Sequence, residues 1–218
     1  MRNAAIFLAI VAVSAGTASA QLIVNPPQTI TERVNVNVIS VADDAGANPA
    51  PLFGTPLQQS SIFDMIDTIW AQAGIDVAFD FRAGTYDSTF ALSGNVGNNS
   101  PRPTGDLSTI VTDAGNIPGG GVLSADPNTI NLFMVEIVPG FSFTSVNTAN
   151  GLAFLNGNGI TMWAGSALPG FTGGLEVVAS VLSHEIGHNL GLPHIVEAEN
   201  LMQAGGSLNP YYTTWLHG

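Results

Sequence analysis

The segment LEVVASVLSHEIGHNL, residues 175–190, places apolar side chains at Leu175, Val178, Val181, Leu182 and Ile186. Spacings of three and four are the period of a helix with one buried face. Gly173 or Thr172 can cap its start, and Glu176 suits the positive end of its dipole. Gly191 and Pro193 follow at once. Glycine accepts the left-handed backbone that ends a helix, and proline cannot continue a regular one, so the chain must turn here. Three of the four histidines of the chain sit in this stretch, at His184, His188 and His194. The first two are four residues apart and stack on one helix face, and the turn lets the third swing beneath them.

There is no cysteine. Disulfides are therefore excluded, and a metal ion would have to be held by His, Asp, Glu or backbone oxygen. Two imidazoles one helical turn apart can converge on one ion at zinc–nitrogen distances of about 2.0–2.1 Å, with His194 as the third ligand. Three neutral histidines leave a tetrahedral zinc one open position, which is the arrangement of a catalytic site. Zinc lowers the pKa of water there to about 7, and a nearby carboxylate can take the proton during attack. Glu185, beside the first ligand, is the expected general base. Taken singly, each histidine is better explained as a satisfied polar residue at a cleft, and Glu185 has the alternatives of a solvated helix residue or a support to the ligands. The shared spacing is what points to zinc. Because the ligands must be neutral, acidification through roughly pH 6 is expected to release metal and activity together.

The same residues carry a resemblance. HEIGHNLGLPH, from His184 to His194, fits H-E-x-x-H-x-x-G-x-x-H at every fixed position, and the chain thereby resembles the metzincin clan of zinc metalloproteases. NLMQAGG, residues 200–206, looks like their Met-turn, with Met202 under the metal. The eight-residue step from His194 to Met202, and GHNLGLPH itself, most resemble the matrixin branch; reprolysin-like and pappalysin-like bacterial metzincins are alternatives. The resemblance implies a zincin-like catalytic domain of α/β (α+β) class. Such a domain has a five-stranded mixed sheet with one antiparallel edge strand, here expected at GLAFL (151–155), an active-site helix and a Met-turn. It also implies one catalytic zinc on His184, His188 and His194, Glu185 as base and Gly191 at the helix exit. A protein or peptide substrate would add to the edge strand through main-chain hydrogen bonds. The chain departs from the family pattern in places. Ile195 follows the third ligand where serine or aspartate is usual, Ala204 stands where astacins and serralysins have tyrosine, and only His217 remains for a second, structural zinc.

Elsewhere, VNVNVISV (34–41) alternates and predicts a strand with one buried face. SSIFDMIDTIWAQAG (60–74) predicts a helix capped by Ser60 or Ser61 and closed by Gly74. IDVAFDF (75–81) and INLFMVEIV (130–138) read as strands, the second fully buried. LAFL (152–155) and ITMWA (160–164) predict an antiparallel hairpin, because NGNG between them tolerates the positive φ of a tight turn. Residues 83–128 read as a long connection in which DLSTIVTDAG forms a short strand or helical turn. The order strand, helix, strand, strand, hairpin, helix predicts a mixed, mostly parallel sheet with helices packed against it.

The 218 residues suit one domain. A net charge of −12, with four arginines and no lysine, repels phosphate backbones and anionic lipid, so neither a nucleic acid nor a membrane is an expected partner. The acidity itself is read as solubility. Aspartates in 83–128 could hold calcium, but no spaced ligand loop is present, so Ca2+ is unsupported. Residues 1–20 have a positive start at Arg2, an apolar run and a small-residue Ala18-Ser19-Ala20 site. They read as a secretory signal, leaving 21–218 as a secreted (extracellular or periplasmic) catalytic domain. The expected activity is that of a zinc metalloendopeptidase. The alternatives are a zinc hydrolase of non-peptide amides or esters and a non-enzymatic, zinc-stabilised binding protein. Oligomeric state is not legible.

Overall fold

The computed structural model describes residues 25–93, 103–117, 121–138, 151–163, 174–196 and 200–203. The expected signal at 1–20, the caps Thr172 and Gly173, and the tail holding Ala204 and His217 lie outside the described residues.

Five strands form one sheet in the order β2-β1-β3-β5-β4. They are β1 (Glu32–Ala42), β2 (Ile75–Asp87), β3 (Thr129–Val135), β4 (Gly151–Ala153) and β5 (Ile160–Trp163). β1 pairs in parallel with β2 and β3, and β3 with β5; β4 alone runs antiparallel, against β5. The mixed sheet with an antiparallel edge strand at GLA is thus the one expected from the sequence.

β3 is buried at every residue from Thr129 to Val135, as a central strand covered on both faces must be. β1 was expected to bury one face, yet Val36, Asn37, Val38 and Ile39 are buried in succession. The buried polar member is satisfied: Asn37 Nδ2 donates to Asn131 Oδ1 at 2.9 Å and to the Val122 carbonyl at 3.1 Å. At position 37, asparagine in a valine alternation therefore marks a buried hydrogen-bond link and not a solvent face.

α1 (Pro56–Ala71) begins earlier than Ser60. Thr55 is its N-cap, with the Gln58 side chain reaching back to the Thr55 N–H at 2.8 Å, and Pro56 opens the first turn. That is a capping box followed by the residue whose missing N–H costs nothing there. The connection 83–128 is more ordered than expected: β2 runs on to Asp87, and two helices follow, α2 (Thr89–Ser93) and α3 (Pro103–Gly115). DLSTIVTDAG is the body of α3, with Leu107, Ile110 and Ala114 buried at spacings of three and four. α4 (Gly174–Asn189) lies where the apolar periodicity places it. It packs on β4, β5 and α1, while α1 also packs on β2, so the two helices share one face of the sheet.

Candidate active site

α4 ends in a Schellman motif. The Leu192 N–H donates to the Gly187 carbonyl at 2.9 Å, the Gly191 N–H donates to the His188 carbonyl at 2.9 Å, and Gly191 sits at φ +92°. This is the turn that brings His194 back to the helix. Its Nε2 lies 3.2 Å from His184 Nε2 and 3.0 Å from His188 Nε2. One donor nitrogen from each ring lies within 4.8 Å of the others, the only such cluster among the described residues.

The Nε2 atoms of His184 and His188 cannot donate, to each other or to His194. His184 Nδ1 is 2.6 Å from the Leu201 carbonyl and His188 Nδ1 is 2.8 Å from the Leu192 carbonyl. A carbonyl only accepts, so each Nδ1 carries the proton and each Nε2 presents a lone pair. Two such lone pairs and the His194 nitrogen face a common point. Ligands about 2.0–2.1 Å from a tetrahedral ion stand roughly 3.3–3.4 Å apart, close to the spacings here. Carbonyl partners on the far ring nitrogens are also what orients histidine toward a metal. The donor set fits zinc, and the three histidines form a potential zinc site.

Burial holds His184 at a pKa of about 4, with the neighbouring imidazoles adding to the effect and the Leu201 carbonyl opposing it. Burial lowers His188 as well. Both rings are therefore neutral at pH 7. Protons compete with metal at His184 well below the pH 6 suggested by an unperturbed imidazole.

Glu185 is buried, one residue from His184 and against β4, and with no ion beside it burial raises its carboxyl to about 8. The folded-state pKa lies above the ordinary 4.5. The stability contribution is then complete below pH 4.5 and is lost as pH rises toward 8. Chelated protein should lose several kcal/mol across that window relative to chelated Glu185→Gln. Denaturant unfolding of both at pH 5 and pH 8.5 checks this, and parallel pH profiles would refute it.

Met202 is buried on α4 between the ligands: a Cβ on Gly187 would lie 2.5 Å from its Sδ. Residues 200–203 form a turn, with the Gln203 N–H donating to the Asn200 carbonyl and the Met202 N–H to Asn200 Oδ1. Ile195 N–H donates to the Met202 carbonyl at 3.0 Å, tying the chain after the third ligand to that turn. Sequence reasoning missed Gly187 and Asn189. A glycine inside a strongly helical pattern was the available signal for Gly187. Asn189 accepts from the Gly159 N–H at 2.9 Å and donates to the Phe154 carbonyl at 3.1 Å, and the Asn156 N–H donates to the His188 carbonyl at 2.8 Å. These bonds fasten the β4–β5 turn to the end of α4. No sequence spacing announces them.

No family model and no curated protein matches the sequence. Solved structures do. Metalloproteinase-II from Bacteroides fragilis matches at 16% identity and a TM-score of 0.47, over 88% of this chain and 52% of that one. Archaemetzincin from Methanopyrus kandleri matches at 14% and 0.46, over 87% and 92%. A zinc-dependent peptidase from Methanocorpusculum labreanum matches at 13% and 0.47, over 84% and 95%. The chain spans about half the length of the Bacteroides protein. These names are of a metalloproteinase, an archaemetzincin and a zinc-dependent peptidase, and none of them names the matrixin branch expected from GHNLGLPH and the His194-to-Met202 step. At such identities and scores the site stands on its own geometry: three imidazoles aimed at one point, with a buried carboxylate beside the first.

Proposed function

We propose that the protein is a secreted zinc-dependent metalloendopeptidase of metzincin type. The observation that carries this is the convergence of His184, His188 and His194 next to a buried Glu185 on the same helix. A zinc ion held by the three would supply Lewis-acid polarisation of the scissile carbonyl and an acidified water. Glu185 accepts the proton of the attacking water and hands it to the leaving nitrogen. The Leu201 and Leu192 carbonyls keep the first two rings aimed. Met202 forms the floor of the site against Gly187, in the manner of a Met-turn. β4 is the last strand of the sheet order, so its outer edge has no strand partner among the described residues and suits an extended peptide. The step from His194 to Met202 supports a matrixin-like branch, and the pattern of residues 1–20 supports export.

The test is cleavage of a denatured protein by the zinc-loaded chain, with sites mapped by mass spectrometry, beside a panel of esters and non-peptide amides. Internal cleavage that chelator stops is the expected result. Turnover confined to esters or non-peptide amides would favour the other hydrolase reading, and no turnover of any substrate would favour a zinc-stabilised binding protein.

A further inference from the structure

We infer that Gly151 is a positioning residue for Glu185: the missing side chain on β4 is what allows the carboxylate its place beside the metal ligands. The inference rests on the reading of Glu185 as the base. A Cβ at Gly151 would lie 2.7 Å from Glu185 Cγ, 2.8 Å from Oε1 and 3.0 Å from Cδ. Those are separations at which something must move. Gly151 is not among the positive-φ glycines, so its backbone would accept another residue. The space, and not the conformation, demands glycine.

What would move is decided by the frame around it. β4 cannot easily retreat, because Gly151 and Ala153 pair with Met162 and Ile160 of β5. The turn joining the two strands is fastened to α4 through Asn189 and the His188 carbonyl. It is also fastened to β3, where Asn158 Nδ2 donates to the Thr129 carbonyl and Asn131 Nδ2 donates to Asn158 Oδ1. Strand and helix are thus held at a set separation on either side of Glu185. Among the described residues at this contact, the compliant element is the Glu185 side chain, which has several rotatable bonds. An added methyl displaces the carboxylate while the ligand rings, held by their own carbonyl partners, stay in place. A shift of about 1 Å in a reacting group is worth on the order of 10²-fold in rate.

The experiment uses the full chain loaded with zinc and a short peptide amide. Gly151→Ala should keep one zinc per chain, keep KM within about twofold, and lose kcat by about 10–100-fold. A parent-like kcat overturns the inference. A melting-temperature cycle reads the contact without activity. Gly151→Ala should lower the Tm of the parent by about 3–10 °C, yet leave Glu185→Ala unchanged within about a degree, because that variant has no Cγ to collide with. If Gly151→Ala folds only in the Glu185→Ala background, the inference stands. An equal loss of Tm in both backgrounds, or failure to fold in both, overturns it. Should the parent show no peptidase activity at all, the function falls, while the Tm cycle still decides whether Gly151 makes room for Glu185.

Discussion

Zinc-loaded Glu185→Gln should cleave peptides about 10²–10⁴-fold more slowly than the parent while holding the same amount of zinc. Glutamine has the shape of glutamate, so the packing of residue 185 against Gly151 is kept and only proton transfer is lost. Zinc content is preserved because none of the three Nε2 atoms depends on that carboxylate: two are aimed by the Leu201 and Leu192 carbonyls, the third by the Schellman turn. The electrostatics favour the role. Burial alone pushes the Glu185 carboxyl up to about 8. A divalent cation nearby favours the ionised form and draws it back down, toward the working pH where a general base is most effective. A structural zinc site has no use for this carboxylate. Steady-state cleavage assays with parallel metal analysis decide the matter: unchanged turnover in Glu185→Gln would remove the base assignment, and joint loss of zinc and activity would make Glu185 a support to the ligands.

The parts of this fold that were legible in the sequence are those written in local spacing. The α4 periodicity, the four-residue step from His184 to His188, the positive-φ glycine at 191 and the NGNG turn each encode their geometry within a few residues. What was not legible depends on partners far along the chain. Asn37 looked like the polar side of an amphipathic strand because its partner, Asn131, is 94 residues away. The room for Glu185 depends on Gly151, in another element, and nothing at 185 reveals it. The helix over 103–115 was legible only as a short strand or helical turn, for a different reason. Its buried side chains, Leu107, Ile110 and Ala114, are few, and the Ser, Thr and Asp between them are weak helix formers, so tertiary packing outweighs propensity. The start of α1 was legible and passed over, since Thr55-Pro56-Leu57-Gln58 is a capping box in plain sequence.

Zinc at about a thousandfold over its dissociation constant should raise the melting temperature of the metal-free protein by about 8–16 °C. A ligand that binds only the folded state stabilises it by about 4 kcal/mol at that excess, and each kcal/mol moves a domain of this size by about 2–4 °C. The same addition to His188→Ala should produce little shift. That ring is a ligand through Nε2 and, through Nδ1 and the Leu192 carbonyl, also holds the loop that presents His194. Removing it loosens two of the three donors at once. His217→Ala, which removes the one histidine that does not belong to HEIGHNLGLPH, serves as the control and should keep the full shift. The response should also survive mild acid. Burial holds the His184 pKa near 4, so a proton gains on the metal at that ring only well below pH 6. Differential scanning fluorimetry at pH 7 and pH 5.5, with and without zinc, reads both statements. A zinc shift of equal size in His188→Ala would mean that the ion binds elsewhere, and with it the reading of these three imidazoles as one site would fail.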